Sequence, residues 1–275
     1  MGINKKINDL KEILAEMESV LILFSGGVDS SFLSRMAFEI LGDRAVAVTA
    51  TSPTYPVVEF EWAKRIASDI GIRQIIIESN ELEIPLFSDN DHRRCYYCKK
   101  ELFTLAREKA DELGIKEVAE GSNLNDLGDY RPGREAAEEL KVRSPLLDAR
   151  LTKKDIRTLS SSLGLETWDK PASACLSSRF PYGTKITRHR LKMVEEAEDF
   201  LHKNGFRSCR VRYHGEIARI ELNREDMLKV FDAGIKEAVV EKLKEIGFSY
   251  VTLDLEGYRT GSLNEPLGLI SEYVI

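Results

Sequence analysis

The sequence predicts a doubly wound α/β domain with a parallel sheet, followed by a second, smaller α+β domain. Three observations carry this. Short, continuous apolar runs alternate with helical patterns through the first two-thirds of the chain. A glycine-rich turn joins the first of those runs directly to a helix. Late in the chain the pattern changes to two short runs facing each other across a tight turn. Continuous rather than alternating apolar runs are the mark of parallel strands covered on both faces.

The opening stretch, MGINKKINDLKEILAEMESV, places Ile3, Ile7, Leu10, Leu14 and Met17 at spacings of three and four. It reads as an amphipathic helix and not as a leader peptide. Buried strands are expected at 19–24 (SVLILF), 45–50 (AVAVTA), 73–78 (RQIIIE) and 117–121 (EVAEG), with helices at about 30–41, 57–70 and 99–113 between them. This order implies right-handed βαβ crossovers. TKKD at 152–155 is a start signal for a further helix, because Thr caps the first amides and Asp reaches back to the cap. The stretch 170–187, with two prolines and a glycine, is loop-like. A helix at about 189–203 ends at Gly205. RSCRVRY and EIARIEL, linked by HG, then form a hairpin, and SYVTLDL supplies a last strand. The expected domains are 1–186 and 187–275, the second for substrate binding and oligomerisation.

The chain has 275 residues, 43% hydrophobic and 31% charged, a balance typical of soluble globular proteins. No apolar run approaches the roughly 20 residues needed to cross a bilayer, and a cytoplasmic setting is expected. A net charge of −6 fits a general nucleic-acid binder poorly. With four cysteines and no leader, a disulfide framework is not expected. The Cys95-x-x-Cys98 pair reads instead as metal, cluster or redox chemistry.

LILFSGGVDSS carries the strongest functional signal. A buried strand runs into Ser25, Gly26, Gly27, Val28, Asp29 and Ser30, and a helix follows at once. Adjacent glycines let backbone amides approach an anion, and the helix dipole favours negative charge there. Ser25 and Ser30 add hydroxyl donors. The Gly-Lys-Ser/Thr of a γ-phosphate-transferring loop is absent. After the fourth strand, EGSNLNDLGDYRPG sits at the sheet edge where ligands bind in this fold class. There Asp126 and Asp129 are candidates for assisting magnesium and Arg131 for meeting phosphate.

The Ser-Gly-Gly-x-Asp-Ser stretch resembles the PP-loop of the ATP pyrophosphatase superfamily, whose members cleave ATP to AMP and pyrophosphate. The resemblance implies ATP and Mg2+ as cofactors, with Asp29 near the metal. GDYRPG, SSRFPYGT, RVRYH, IARIEL and YVTLDLEGYRTG together resemble the LarE family across nearly the whole chain. That resemblance implies adenylation of a carboxylate of pyridinium-3,5-biscarboxylic acid mononucleotide, replacement of its oxygen by sulfur, and a homo-oligomer. Ser178 and Arg179 beside Cys175, and Arg210 with Arg212 on one strand face, suit the anionic groups of such a substrate.

Sacrificial members of that family read Ala-Ser-Cys in the loop where this chain reads Ala172-Ser173-Ala174-Cys175. Here the cysteine comes one residue later, and Cys95 and Cys98 are additional. Thiolates of Cys95, Cys98 and Cys175 could hold three irons of a 4Fe–4S cluster, leaving the fourth to carry sulfide. Other readings of the same residues stay open. They are a zinc site completed by His92, a redox pair resolving a persulfide on Cys175, sacrifice of the Cys175 sulfur, and a tRNA-thiolating relative of the same loop chemistry. Cys209 alternates with Arg210 on its strand and is expected in the core.

Overall fold

The computed structural model describes residues 2–128, 132–171, 173–206, 208–232 and 234–259. The chain divides into two compact units, Met1–Glu81 with Cys95–Ser173, and Leu82–Arg94 with Ala174–Ile275. No described helix is long and apolar enough to cross a membrane.

In the first unit, helix α1 (Ile3–Glu16) buries Leu10 and Leu14. Strand β1 (Val20–Leu23) follows and is buried throughout. Helices α2 (Val28–Leu41) and α3 (Val57–Ile70) flank β2 (Ala45–Thr51), and β3 is Arg73–Glu78. Helix α4 spans Arg94–Glu112, β4 Glu117–Ala119, α5 Gly133–Glu139 and α6 Lys153–Ser162. The four strands are parallel in the order β3-β2-β1-β4. The pleat of β1 divides its side chains between two cores. Val20 and Ile22 pack with residues of α1, α2, α3 and α6, while Leu21 and Leu23 pack with Phe103, Ala106 and Ala110 of α4 and Ala136 of α5.

The four expected strands are present, with one difference. β3 was expected to be buried, yet Arg73, Ile76 and Glu78 are exposed. It is one of the two edge strands: Ile75 and Ile77 pack against the core as partly buried residues, whereas the other edge, β4, buries Val118 and Ala119. Helix α4 also starts earlier than expected. Asp91 Oδ1 accepts the Arg93 amide at 2.7 Å, and the Asp91 carbonyl accepts the Arg94 amide at 2.9 Å. These bonds begin the helix ahead of the cysteine pair. The expected capping box is formed, with Thr152 and Asp155 exchanging side-chain and backbone bonds at the start of α6.

In the second unit, helix α7 (Arg188–Lys203) precedes the hairpin of β5 (Cys209–His214) and β6 (Ile217–Leu222). Helix α8 (Ile235–Ile246) leads to β7 (Tyr250–Leu253), which pairs parallel to β6. The expected boundary near residue 186 falls inside this unit, because 174–187 folds together with 82–94. Asn90 Nδ2 donates to the Phe180 and Pro181 carbonyls at 3.2 and 2.7 Å. The amides of Gly183 and Ile186 donate to the Asn90 and Ser88 carbonyls at 3.0 and 2.7 Å. Bonds between segments so distant in sequence leave no local periodic signal.

Lys6 and Asp155 link α1 to the start of α6 at 2.6 Å. Burial pushes the Asp155 carboxyl up, but the Lys6 ammonium and the Thr152 donors outweigh it and bring it down to about 2. A depressed carboxyl stabilises the fold above its unfolded value near 4 and ceases to do so as pH falls through its folded value. Asp155→Asn should therefore lower the urea midpoint at neutral pH. The gap to wild type should close as pH is taken from about 4 toward about 2. A gap that stays constant over that range would show that the charge is not the source of the stabilisation.

Candidate active site

The strand order places β1 at the centre. From it the chain moves out to β2 and β3, then returns to β4 on the other side of β1. The strand order therefore reverses beside β1, and the carboxyl ends of the strands at such a reversal are where ligands bind in this architecture. The glycine loop 25–27 fills that position. Gly26 has φ 63°, and Gly27 is the extended N-cap of α2. A Cβ on Gly26 would lie 2.8 Å from Ala63 Cα of α3, so only glycine fits between the loop and that helix. Ser25 Oγ and Ser30 Oγ are 3.2 Å apart, and Ser30 Oγ also accepts the Ser25 amide at 3.3 Å. The two hydroxyls thus meet across the first turn of α2.

Asp29 stands in that first turn. Lys153 Nζ of α6 pairs with its Oδ2 at 2.5 Å, and Asn123 Nδ2 donates to Oδ1 at 3.4 Å. Gly121, from the loop after β4, packs against Ser30 N and Asp29, and a Cβ there would come within 3.1 Å of that amide. Asp126 folds this loop, its Oδ2 accepting the Asn123 amide at 2.9 Å. The structure therefore brings Asp126 to the same loop system as Ser25, Gly26, Gly27, Asp29 and Ser30. Asp129 and Arg131 lie outside the described residues.

Cys95 and Cys98 lie one turn apart on α4, Cys95 exposed and Cys98 half-buried. Spacing of three puts them on the same helix face. Cys175 is exposed in the second unit, immediately before a short turn at Leu176–Arg179. Among the described residues, no group of three or more His, Cys, Asp or Glu side chains is placed to hold a metal ion. The two α4 thiols suit a soft metal or cluster as a partial donor set.

The second unit gathers three of the four expected anion-binding residues. Ser178 Oγ and Arg179 Nη1 donate to the Cys175 carbonyl at 2.8 and 3.0 Å, which pins the backbone of the cysteine. Arg212 Nη1 donates to the Ser178 carbonyl at 2.7 Å. Both arginines are buried and already matched, Arg179 in a bidentate pair with Glu198 and Arg212 with Glu221. Burial works against the Arg179 charge, but Glu198 more than restores it and the guanidinium is held above its ordinary value. Arg210, two residues from Arg212 on β5, is half-buried, lies over the Tyr258 ring at 5.2 Å and donates to the Cys209 carbonyl. Cys209 is buried, and burial with the nearby Glu198 pushes its thiol up to about 12, as suits an inert core residue.

The asparagine synthase family model matches residues 10–91, which contain the glycine loop. An uncharacterized Synechocystis protein is 43% identical over 96% of this chain and 99% of its own length. The pyridinium-3,5-bisthiocarboxylic acid mononucleotide synthase of Lactiplantibacillus plantarum is 39% identical over 92% of each chain. The chain belongs to that synthase's family, the LarE family. An uncharacterized Methanocaldococcus jannaschii protein, 31% identical over 93% of this chain and 98% of its own length, is a more distant relative.

Lys153 is the residue of this LarE-family site that the spacing of motifs did not disclose. One sequence signal was available. An ammonium in the first turn of a helix opposes the helix dipole, so its presence there points to an anionic partner elsewhere in the fold. Asn123 carried no such signal, since its role depends on where β4 ends. The glycine geometry gives a direct test. Gly26→Ala should destabilise the protein by more than about 1 kcal/mol, combining left-handed strain with backbone overlap. Gly27→Ala, at φ −82° and meeting only Ser25 Oγ at 3.3 Å, should cost less. Thermal unfolding of the two variants ranks them, and equal losses would refute the assignment.

Proposed function

We propose that this chain is an ATP-dependent, AMP-forming sulfurtransferase acting on a carboxylate of pyridinium-3,5-biscarboxylic acid mononucleotide. The observation that carries the reading is a phosphate-binding loop without a Walker lysine, set at the switch point of a parallel sheet, in a chain of the LarE family. A substrate carboxylate oxygen attacks the α-phosphorus of ATP, and the bond to the bridging oxygen breaks to release pyrophosphate. A sulfur nucleophile then attacks the acyl carbon, and AMP leaves with the original carboxylate oxygen. Division into two displacements replaces a poor leaving group with a good one.

Ser25, Gly26, Gly27 and Ser30 would hold the phosphates through amides and hydroxyls. Asp29 supplies hard carboxylate oxygens at a helix N-terminus beside that loop, a donor suited to magnesium shared with phosphate oxygens. Magnesium there would neutralise charge on the departing pyrophosphate. Asp126 shapes the adjoining loop, and Asp129 with Arg131 completes the proposed nucleotide set. Ser178, Arg179, Arg210 and Arg212 form the proposed substrate-anion set. Glu198 and Glu221 already balance Arg179 and Arg212, and both guanidiniums are buried and donate within the protein, so what those two bring to the proposed set is the fixed shape of the turn after Cys175.

For the sulfur source, the proposal is the thiol set Cys95, Cys98 and Cys175, with exogenous sulfide or another donor, and it rests on residue chemistry. A 4Fe–4S cluster held by such thiols would supply an iron able to bind sulfide. Sacrifice of the Cys175 sulfur is the second reading, favoured by an exposed side chain on a pinned backbone. A cytoplasmic homo-oligomer is proposed on family likeness, and no nucleic-acid partner is proposed for a chain of net charge −6.

Two experiments test this. Asp29→Ala should abolish substrate-dependent pyrophosphate release while circular dichroism stays native, and wild type should yield AMP. Release of ADP would overturn the reading. Anaerobic turnover with ATP, substrate and sulfide, followed by intact-protein mass spectrometry, separates the sulfur sources. Unchanged mass, together with iron and sulfide lost in Cys95→Ala, Cys98→Ala and Cys175→Ala, supports the cluster. Loss of the mass of hydrogen sulfide at Cys175 supports sacrifice.

A further inference from the structure

The back of the phosphate loop is as organised as its front. An anion site made from backbone amides works only if the neighbouring carbonyls point away, since a carbonyl oxygen turned toward phosphate would repel it. In this chain the two carbonyls at the start of the loop are held by donors that precede, lie on or lie beside α3. Tyr55 Oη donates to the Ser25 carbonyl at 3.0 Å. Trp62 Nε1 donates to the Gly26 carbonyl at 3.0 Å, and Lys170 Nζ approaches the same oxygen at 3.4 Å. Lys170 is itself fixed, pairing with Glu59 of α3 at 2.7 Å and lying over the Trp62 ring at 4.6 Å.

We infer that Tyr55, Trp62 and Lys170 are positioning residues of the nucleotide site, a clamp on the Ser25 and Gly26 carbonyls that keeps the loop amides aimed at the phosphates of ATP. None of the three is assigned a contact with the nucleotide. Each acts through the loop backbone, and the close fit of Gly26 against Ala63 sets the distance at which they do so. The protonation states agree with the donor roles. Burial, reinforced by Glu59, pushes the Tyr55 phenol up, so it remains a donor at neutral pH. Burial pulls the Lys170 ammonium down, and the Glu59 carboxylate opposes that pull. A charged donor at the Gly26 carbonyl also polarises that peptide, which strengthens the amide on its other side as an anion donor. The chemistry is specific to the side chains. Trp62→Phe keeps an aromatic surface for Lys170 and Arg65 but has no N–H, whereas Lys170→Met keeps much of the stem and removes the charge.

The inference rests on the reading that this loop binds ATP, so the experiment measures binding and not turnover. The probe is α,β-methylene-ATP with magnesium, titrated into the intact protein by calorimetry. A parallel titration in a Trp168→Phe background leaves Trp62 as the only tryptophan emitter. Wild type should bind, with a saturable change in Trp62 emission. Lys170→Met and Trp62→Phe should each weaken binding about tenfold or more, the scale of losing a hydrogen bond to a charged or buried polar group. Lys170→Arg should recover most of the affinity, since it restores a charged donor. Melting temperatures without nucleotide separate a general loss of folding from a loss of loop alignment. Affinities within about twofold of wild type in both Lys170→Met and Trp62→Phe would overturn the clamp. Absence of binding in wild type would instead overturn the nucleotide reading on which the clamp depends.

Discussion

Everything in the first unit is arranged around a backbone contact with no room for a methyl group, the passage of Gly26 over Ala63 of α3. The turn after β1 lies in the left-handed region at Gly26, a conformation that lets successive amides converge on an anion as the chain enters α2. It requires α3 to be rigid and close, which the packing of Ala63, Ile66, Ala67 and Ile70 into the core under β1 and β2 provides. It also requires β1 to be central, because the strand order reverses beside it, the position where ligands bind in this architecture. Fold and site are therefore not separable, since the core that holds α3 in place is also what shapes the loop.

Charge is handled differently in the two units. Around the phosphate loop, Asp29 and Lys153 form a partly exposed pair, able to exchange partners at modest cost in solvation. In the second unit, Arg179 with Glu198 and Arg212 with Glu221 are buried pairs, in which loss of one partner would strand the other in a low-dielectric setting. The first arrangement suits a site where ions arrive and leave. The second suits a scaffold that must hold a turn in one shape, and the turn it holds is the one that follows Cys175. Glu198 extends this scaffold into the sheet by accepting the Val211 amide at 2.9 Å, which links α7 to β5.

Much of this was legible from residue order. Periodicity located the parallel strands and the hairpin because burial on two faces and on one face write different patterns. The capping box at Thr152 and Asp155 was legible because its bonds span three residues. The phosphate loop was legible because glycine, serine and aspartate at a strand-to-helix junction have few other uses. The edge position of β3, the early start of α4 and the pairing of 82–94 with 174–187 were not legible. The first and third depend on which distant segment lies alongside, whereas the start of α4 rests on local bonds to Asp91 that apolar periodicity does not register.

By itself, then, the sequence determined the order of the main strands and helices, the anion loop and the family to which the chain belongs, all properties encoded over a few neighbouring residues or in the overall likeness of the chain. Only the tertiary structure decided that Lys153 meets Asp29, that Arg179 and Arg212 are matched internally by glutamates, and that Tyr55, Trp62 and Lys170 stand behind the loop. The physical reason is the range of the interactions. Hydrogen bonds and ion pairs act over about 3–4 Å in space, and partners from 9 to 144 positions apart come that close only after the strands and helices that carry them have been assembled.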